Sequence, residues 1–102
     1  MRTEDLFHHT IKKVNEKFGV VPVKGEIRYS NGVFILDFEL NNNNVLQLMT
    51  DRGYIEINVF QNEKPQRTLL QYPEIEGRWA TPENIELIID FLYEHRDEIF
   101  RE

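Results

Sequence analysis

The chain has 102 residues, a formal net charge of -6, 40% hydrophobic residues and no cysteine. Its length fits one domain with a single core, and its apolar content is too high for a disordered chain. The absence of cysteine excludes disulfide frameworks and thiolate metal sites, and no apolar run approaches the roughly 18 residues that a membrane helix needs.

The first segment, Thr3 to Phe18, is predicted to form a helix, with Thr3 as its N-cap and Gly19 as its left-handed C-terminal residue. Its apolar stripe has three- and four-residue spacing. The stripe comprises Leu6, Phe7, Thr10, Ile11, Val14 and Phe18. His8 and His9 fall off this stripe and point about 100° apart, so we expect two solvated histidines rather than a metal site.

Five segments that follow are predicted to be consecutive antiparallel strands, because they are rich in β-branched and aromatic residues and are separated by turn residues. They are Lys24–Tyr29, Val33–Leu40, Val45–Thr50, Tyr54–Phe60 and, more weakly, Arg67–Tyr72. The connections are predicted to be an Asn31-Gly32 hairpin, a four-residue loop at 41–44 and a three-residue loop at 51–53 that ends in a glycine bulge. Alternation places Phe34, Leu36 and Phe38 on the core face.

The last helix is predicted to begin with Thr81 as N-cap and Pro82 at the first helical position, and to end near Phe100. The sequence therefore predicts an α+β fold: an N-terminal helix, a five-stranded antiparallel meander and a C-terminal helix. Both helices are expected to cover one face of the sheet. Residues 1–102 are predicted to form a single domain.

Two features exceed what a small core requires. The second face of the sheet carries Ile35, Met49, Tyr54 and Phe60, which suits a surface for another chain; the alternative is that the sheet curls and buries them. The last helix is strongly acidic. Its residues Glu86, Asp90 and Glu94 are candidates for docking on a basic cleft of a partner.

Catalytic signatures are missing from the sequence, and we expect no catalytic residue, metal ion or cofactor. Ser30 has no nucleophile-elbow residues around it, and Asp37 and Glu39 are interpreted as solvated carboxylates. His95 is interpreted as a packed histidine. The acidic balance argues against nucleic acid as a partner. The N-terminal residues include no apolar stretch, so we expect a cytoplasmic protein without membrane attachment.

The layout loosely resembles type III secretion chaperones, and its size and charge are similar to those of toxin-neutralising immunity proteins. Neither resemblance rests on a motif, and chaperones of that type place a helix between strands where this sequence predicts none. The sequence favours a non-enzymatic protein-binding domain: an inhibitor, an immunity-type protein or a chaperone-like adaptor that binds another protein or itself. The alternative is a small-molecule-binding or enzymatic domain, with a pocket between sheet and helices. Its expected lining is Tyr29, Tyr72, Trp79 and Tyr93.

Overall fold

The computed structural model describes residues 2–28, 32–41, 43–61, 64–65 and 72–100. The chain forms helix α1 (Thr3–Phe18), strands β1 (Lys24–Arg28), β2 (Val33–Asn41), β3 (Asn44–Asp51) and β4 (Tyr54–Gln61), then helices α2 (Pro82–Glu94) and α3 (Arg96–Ile99). A 3-10 helix, Pro73–Ile75, precedes α2. The predicted α+β class, with an N-terminal helix, an antiparallel sheet and a helical C-terminal region, is therefore confirmed.

Within the described residues, the sheet has four full strands rather than the predicted five. Strands β1 to β4 pair antiparallel in chain order. Among the residues that the structure describes, Lys64–Pro65 pairs with β4 over two residues. The predicted strand Arg67–Tyr72 falls largely on residues 66–71, which lie outside the described residues, and Tyr72 itself is not in a strand.

The two central hairpin turns are tighter than predicted. Asn41 pairs with Asn44, so these two asparagines belong to strands and the predicted four-residue loop is wrong. Asp51 pairs with Tyr54, which leaves a two-residue turn at 52–53 in place of the predicted three-residue loop. The φ angles of Arg52 and Gly53 are 54° and 84°. Two consecutive positive φ angles are typical of a type I′ turn, whose twist matches that of the flanking strands.

The helix ends differ in part from the prediction. Thr3 is the first helical residue rather than the N-cap, and its hydroxyl donates to the Gly32 carbonyl at 3.4 Å. Gly19 ends α1 in the left-handed conformation, as predicted. Thr81 caps α2 by accepting a hydrogen bond from the Asn84 N–H at 3.2 Å. The helix breaks at His95, so the predicted continuous helix to Phe100 is wrong.

The core lies on one face of the sheet, called here the inner face, which carries Phe34, Leu36, Phe38, Leu46, Leu48, Ile55 and Val59. These side chains form one buried cluster with residues of α1, α2 and α3. The helical members are Leu6, Val14, Ile85, Ile88, Ile89, Leu92 and Ile99. Because α1 and α2 share this cluster, both helices pack on the inner face. The predicted facing of the strands is therefore confirmed for Phe34, Leu36 and Phe38.

Candidate functional site

The opposite face of the sheet, called here the outer face, is built by the alternate residues of the same strands. Its members are Lys24, Glu26 and Arg28 on β1, Val33, Ile35, Asp37 and Glu39 on β2, Val45, Gln47, Met49 and Asp51 on β3, and Tyr54, Glu56, Asn58 and Phe60 on β4. Five of these fifteen residues are acidic and two are basic. The outer face is therefore mixed in polarity and net acidic.

Apolar side chains of the outer face are partly exposed. Ile35 lies opposite Met49, and Val45 lies opposite Phe60 in the strand register. All four side chains are half-buried, because side chains on the neighbouring strand cover part of their surface, whereas Tyr54 is 42% exposed. The sequence-based expectation that Ile35, Met49 and Tyr54 are all substantially exposed is thus met in full by Tyr54 and only in part by the other two.

A row of polar side chains separates these apolar pairs. Asp37, Gln47 and Asn58 lie side by side across three strands. Gln47 Nε2 donates to Asp37 Oδ1 at 2.9 Å, and Asn58 Nδ2 donates to Gln47 Oε1 at 3.1 Å. The three side chains thus form a hydrogen-bonded ladder, called here the polar ladder. A partner that covered the ladder would find several of its polar atoms already bonded, which lowers the cost of removing water.

Two exposed aromatic side chains stack at one end of the sheet. The rings of Tyr54 and Trp79 lie 4.4 Å apart at an angle of 19°, and Trp79 is 59% exposed. Backbone bonds on both sides of the pair fix this geometry: Ile55 N–H donates to the Arg78 carbonyl at 2.8 Å, and Ala80 N–H donates to the Gly53 carbonyl at 2.7 Å. The sequence gives no signal for this bridge, because it joins residues far apart in the chain.

A groove of about 520 Å³ lies beside this aromatic pair, along the edge of β4. Its lining comprises Asp51, Arg52, Tyr54, Ile55, Glu56, Ile57, Asn58, Glu76 and Gly77. One wall is therefore the strand itself and the other is the turn that precedes Arg78. The described lining residues carry three carboxylates and one guanidinium, so this part of the lining is net acidic.

Arg78 and Asn84 hold the second wall of the groove in place. The Arg78 side chain donates from Nε to the Glu74 carbonyl and from Nη1 to the Asn84 side chain. Asn84, in the first turn of α2, also donates to the Trp79 carbonyl at 3.0 Å. These contacts link the wall to α2, while the Ile55 bond links it to β4. The groove therefore lies between two segments that the fold has fixed.

The acidic candidates on α2 lie away from the outer face. Glu86 and Glu94 are exposed, but the Asp90 carboxylate lies 3.2 Å from Lys13 Nζ and 3.3 Å from Lys17 Nζ of α1. Partial desolvation raises the pKa of Asp90, but hydrogen bonds and attraction from the two lysines outweigh it, so the pKa lies below its ordinary value. Because α2 packs on the inner face, these acids and the sheet candidates occupy opposite sides of the protein.

Four aromatic residues were expected to line a pocket between sheet and helices, and the three of them that the structure describes are not brought together. The ring centroids of Tyr72 and Phe91 lie 5.3 Å apart, and those of Tyr93 and Phe18 lie 5.4 Å apart. Both contacts are separate from the Tyr54–Trp79 stack. Tyr29 lies outside the described residues. A second, smaller cavity of about 180 Å³ is lined by Phe18, Leu40, Arg96, Asp97 and Phe100.

The histidines occupy three different environments. His8 is exposed, as expected, and its Nε2 lies 4.0 Å from Glu4 Oε1. His9 is not solvated as expected: it is half-buried, and its Nε2 atom has no hydrogen-bond partner in the described part of the chain. His95 packs against Phe91, with the two ring centroids 4.3 Å apart. The described residues include no group of three or more histidine, aspartate or glutamate side chains placed to hold a metal ion.

None of the helices within the described ranges has the length and apolar character of a membrane-crossing segment. Comparison with known proteins gives no relative: no protein-family model matches the chain, and no curated protein or solved structure is significantly similar to it.

Proposed function

We propose that this protein is a non-enzymatic protein-binding domain that contacts its partner through the outer face. The observation that carries the proposal is the combination of half-buried apolar side chains with a polar ladder whose members bond to one another. Aromatic residues and methionine framed by polar residues are enriched at protein interfaces. Ile35, Met49 and Phe60 supply this character, and Tyr54 extends it toward Trp79.

The charge of the outer face indicates the charge that a partner's binding surface should carry. Its acidic residues outnumber its basic residues by five to two. A partner surface with apolar residues surrounded by lysine and arginine would therefore be electrostatically complementary, which raises the association rate and suppresses acidic competitors. A second copy of this chain would bring two acidic faces together, so we propose a different protein as the partner.

An inhibitor that docks its acidic α2 on a basic cleft has weaker support. Asp90 is engaged by Lys13 and Lys17, so of the three acidic candidates on α2, Glu86 and Glu94 are the ones exposed to a partner. Exposed carboxylates of this kind contribute to encounter more than to affinity. The sheet, by contrast, offers apolar surface as well as charge.

Small-molecule binding is a second candidate because of the groove beside β4. Its volume of about 520 Å³ is within the range of small-ligand sites. Catalysis there has little support, since Asp90, whose pKa is lowered, is not among the residues that line the groove. Functional acids and bases usually have perturbed pKa values.

Photocrosslinking tests the proposed function. The photoreactive residue p-benzoylphenylalanine would be placed at Met49, in the middle of the outer face, in cells that naturally produce the protein. Glu16, an exposed residue of α1, is the matched control position. We expect a discrete crosslinked product from position 49 that is missing from position 16. Equal products from both positions, or none from either, would contradict the proposal.

A further inference from the structure

Within the described residues, the edge of β4 has no pairing partner between two points where other segments pair with it. Trp79 pairs with Tyr54 at one end, and Pro65 pairs with Phe60 at the other. Ile57 lies between them. The Ile55 N–H points away from β3, toward Arg78, so by alternation the N–H and C=O of Ile57 also point to that side. Within the described ranges of the chain, neither group of Ile57 has a hydrogen-bond partner.

This open edge faces the groove. Residues 54–58 of β4 form one wall, and Glu76 and Gly77 form the other. Trp79 and Arg78 already pair with Tyr54 and Ile55, so strand addition is limited to residues 56–58, which at about 3.4 Å per residue span about 7 Å and match about three residues of an extended peptide. Unpaired backbone groups along an accessible edge are a template for one more strand, and several peptide-binding domains recognise their ligands in this way.

The charges of the groove restrict the peptide that fits. Among the described lining residues, Asp51, Glu56 and Glu76 outnumber the basic residue Arg52, so this part of the lining attracts lysine or arginine. Pairing of the β4 edge with that of a second copy would bring the same carboxylates together. Like charges at this range are unfavourable, which argues against a homodimer formed through this edge.

We propose that the groove binds an extended basic segment of a partner protein, which adds to β4 as a strand and places a lysine or arginine side chain between Glu56 and Glu76. The peptide backbone bonds to the Ile57 N–H and C=O. The Tyr54–Trp79 stack forms the end of the groove, where it supplies aromatic surface to an apolar or basic side chain. This inference rests on the proposed function, because it specifies how part of the partner is bound.

The test is an NMR titration of the full chain with the peptide acetyl-TVKVKVT-amide. Two matched control peptides are acetyl-TVEVEVT-amide and the lysine peptide with alternate backbone nitrogens methylated. In the free protein, the Ile57 amide should exchange with solvent much faster than the Glu56 and Asn58 amides, which face β3. The lysine peptide should shift the Ile57 amide signal and slow its exchange, and neither control peptide should do so.

Charge-reversal variants provide the second readout. Glu56→Lys with Glu76→Lys should weaken binding of the lysine peptide by about tenfold. Glu16→Lys with Glu83→Lys changes the net charge equally but lies outside the groove, so it should change the affinity by less than about twofold.

Slow exchange of the Ile57 amide in the free protein would overturn the inference, because the edge would then already be paired. Equal binding of the lysine and glutamate peptides, or no response at Ile57, would also overturn it. A crosslinked product from Met49 in that case would leave the proposed function standing, so the two ideas can fail separately.

Discussion

Phenylalanine occurs on both faces of the sheet, and this gives a controlled test of the fold. Phe38 on β2 is 0% exposed and belongs to the core cluster, whereas Phe60 on β4 is half-buried on the outer face. The variants Phe38→Ala and Phe60→Ala remove the same atoms from the two environments. Any difference between them therefore reports burial and packing rather than residue type.

The expected magnitudes follow from these environments. Truncation of a fully buried phenylalanine removes apolar burial and leaves a cavity, so we expect Phe38→Ala to lower the free energy of unfolding by about 3–5 kcal/mol. Phe60 has its cross-strand contact with Val45, and such pairs contribute roughly 0.2–1 kcal/mol. We therefore expect Phe60→Ala to cost about 1 kcal/mol. A domain of this size has a total stability of about 5–15 kcal/mol, so only the first change is severe.

Urea titration followed by circular dichroism measures both free energies, and thermal melts check them. The loss at Phe38 should lower the melting temperature by roughly 15–30 °C. If Phe38→Ala cost less than about 1 kcal/mol, or no more than Phe60→Ala, the assignment of the inner and outer faces would be refuted.

Three further predictions concern single contacts. The Thr50 hydroxyl accepts from the buried Phe34 N–H at 3.1 Å, so Thr50→Val should cost about 1–3 kcal/mol in urea titration, while Thr50→Ser should retain most of the stability. Thr81→Ala removes the N-cap of α2 and should cost about 1 kcal/mol, whereas Thr81→Ser should be nearly neutral; equal losses would show that the cap is unimportant. Asp90→Asn should destabilise the protein at pH 7 by at most about 1 kcal/mol, because the carboxylate is partly exposed. The folded-state pKa of Asp90 is depressed, so its contribution is fully present above the ordinary value of 3.8 and is lost as the pH falls through the folded-state pKa. Wild type and Asp90→Asn should thus converge in stability at acid pH, and a gap that persists there would contradict the ion-pair explanation.

The sequence predicted the facing of the strands well because that property is local. Alternation over Val33–Leu40 has a period of two, so the choice of core face at Phe34 fixes Leu36 and Phe38 as well. The prediction of α1 succeeded for the same reason, with periodic apolar residues before a left-handed glycine. The turns were less predictable. A positive φ at Arg52 is unusual for a residue other than glycine, and the sequence gives no sign of it.

The site was only partly predictable, because its defining contacts join distant residues. Tyr54 was a candidate on strand alternation alone, but its stack with Trp79 depends on the path of the chain between them. The engagement of Asp90 depends on how α1 and α2 cross, which neither helix encodes by itself. His9 falls off the apolar stripe and is nevertheless half-buried. Prediction of each of these features requires knowledge of how distant parts of the chain pack together.

The outer face and the groove share four residues, so one partner could engage both surfaces at once; they are Asp51, Tyr54, Glu56 and Asn58. If a folded part of the partner binds the outer face, a basic segment attached to it is held at high local concentration beside β4. Even weak addition of that segment as a strand would then strengthen the complex. The two contributions should respond differently to salt. Binding of the basic segment is electrostatic and should weaken as ionic strength rises, whereas apolar contact at Ile35 and Met49 should persist. Glu76 lines the groove and is not part of the outer face, so a partner bound only through the outer face would keep its affinity after Glu76→Lys, and one bound only through the groove would lose affinity.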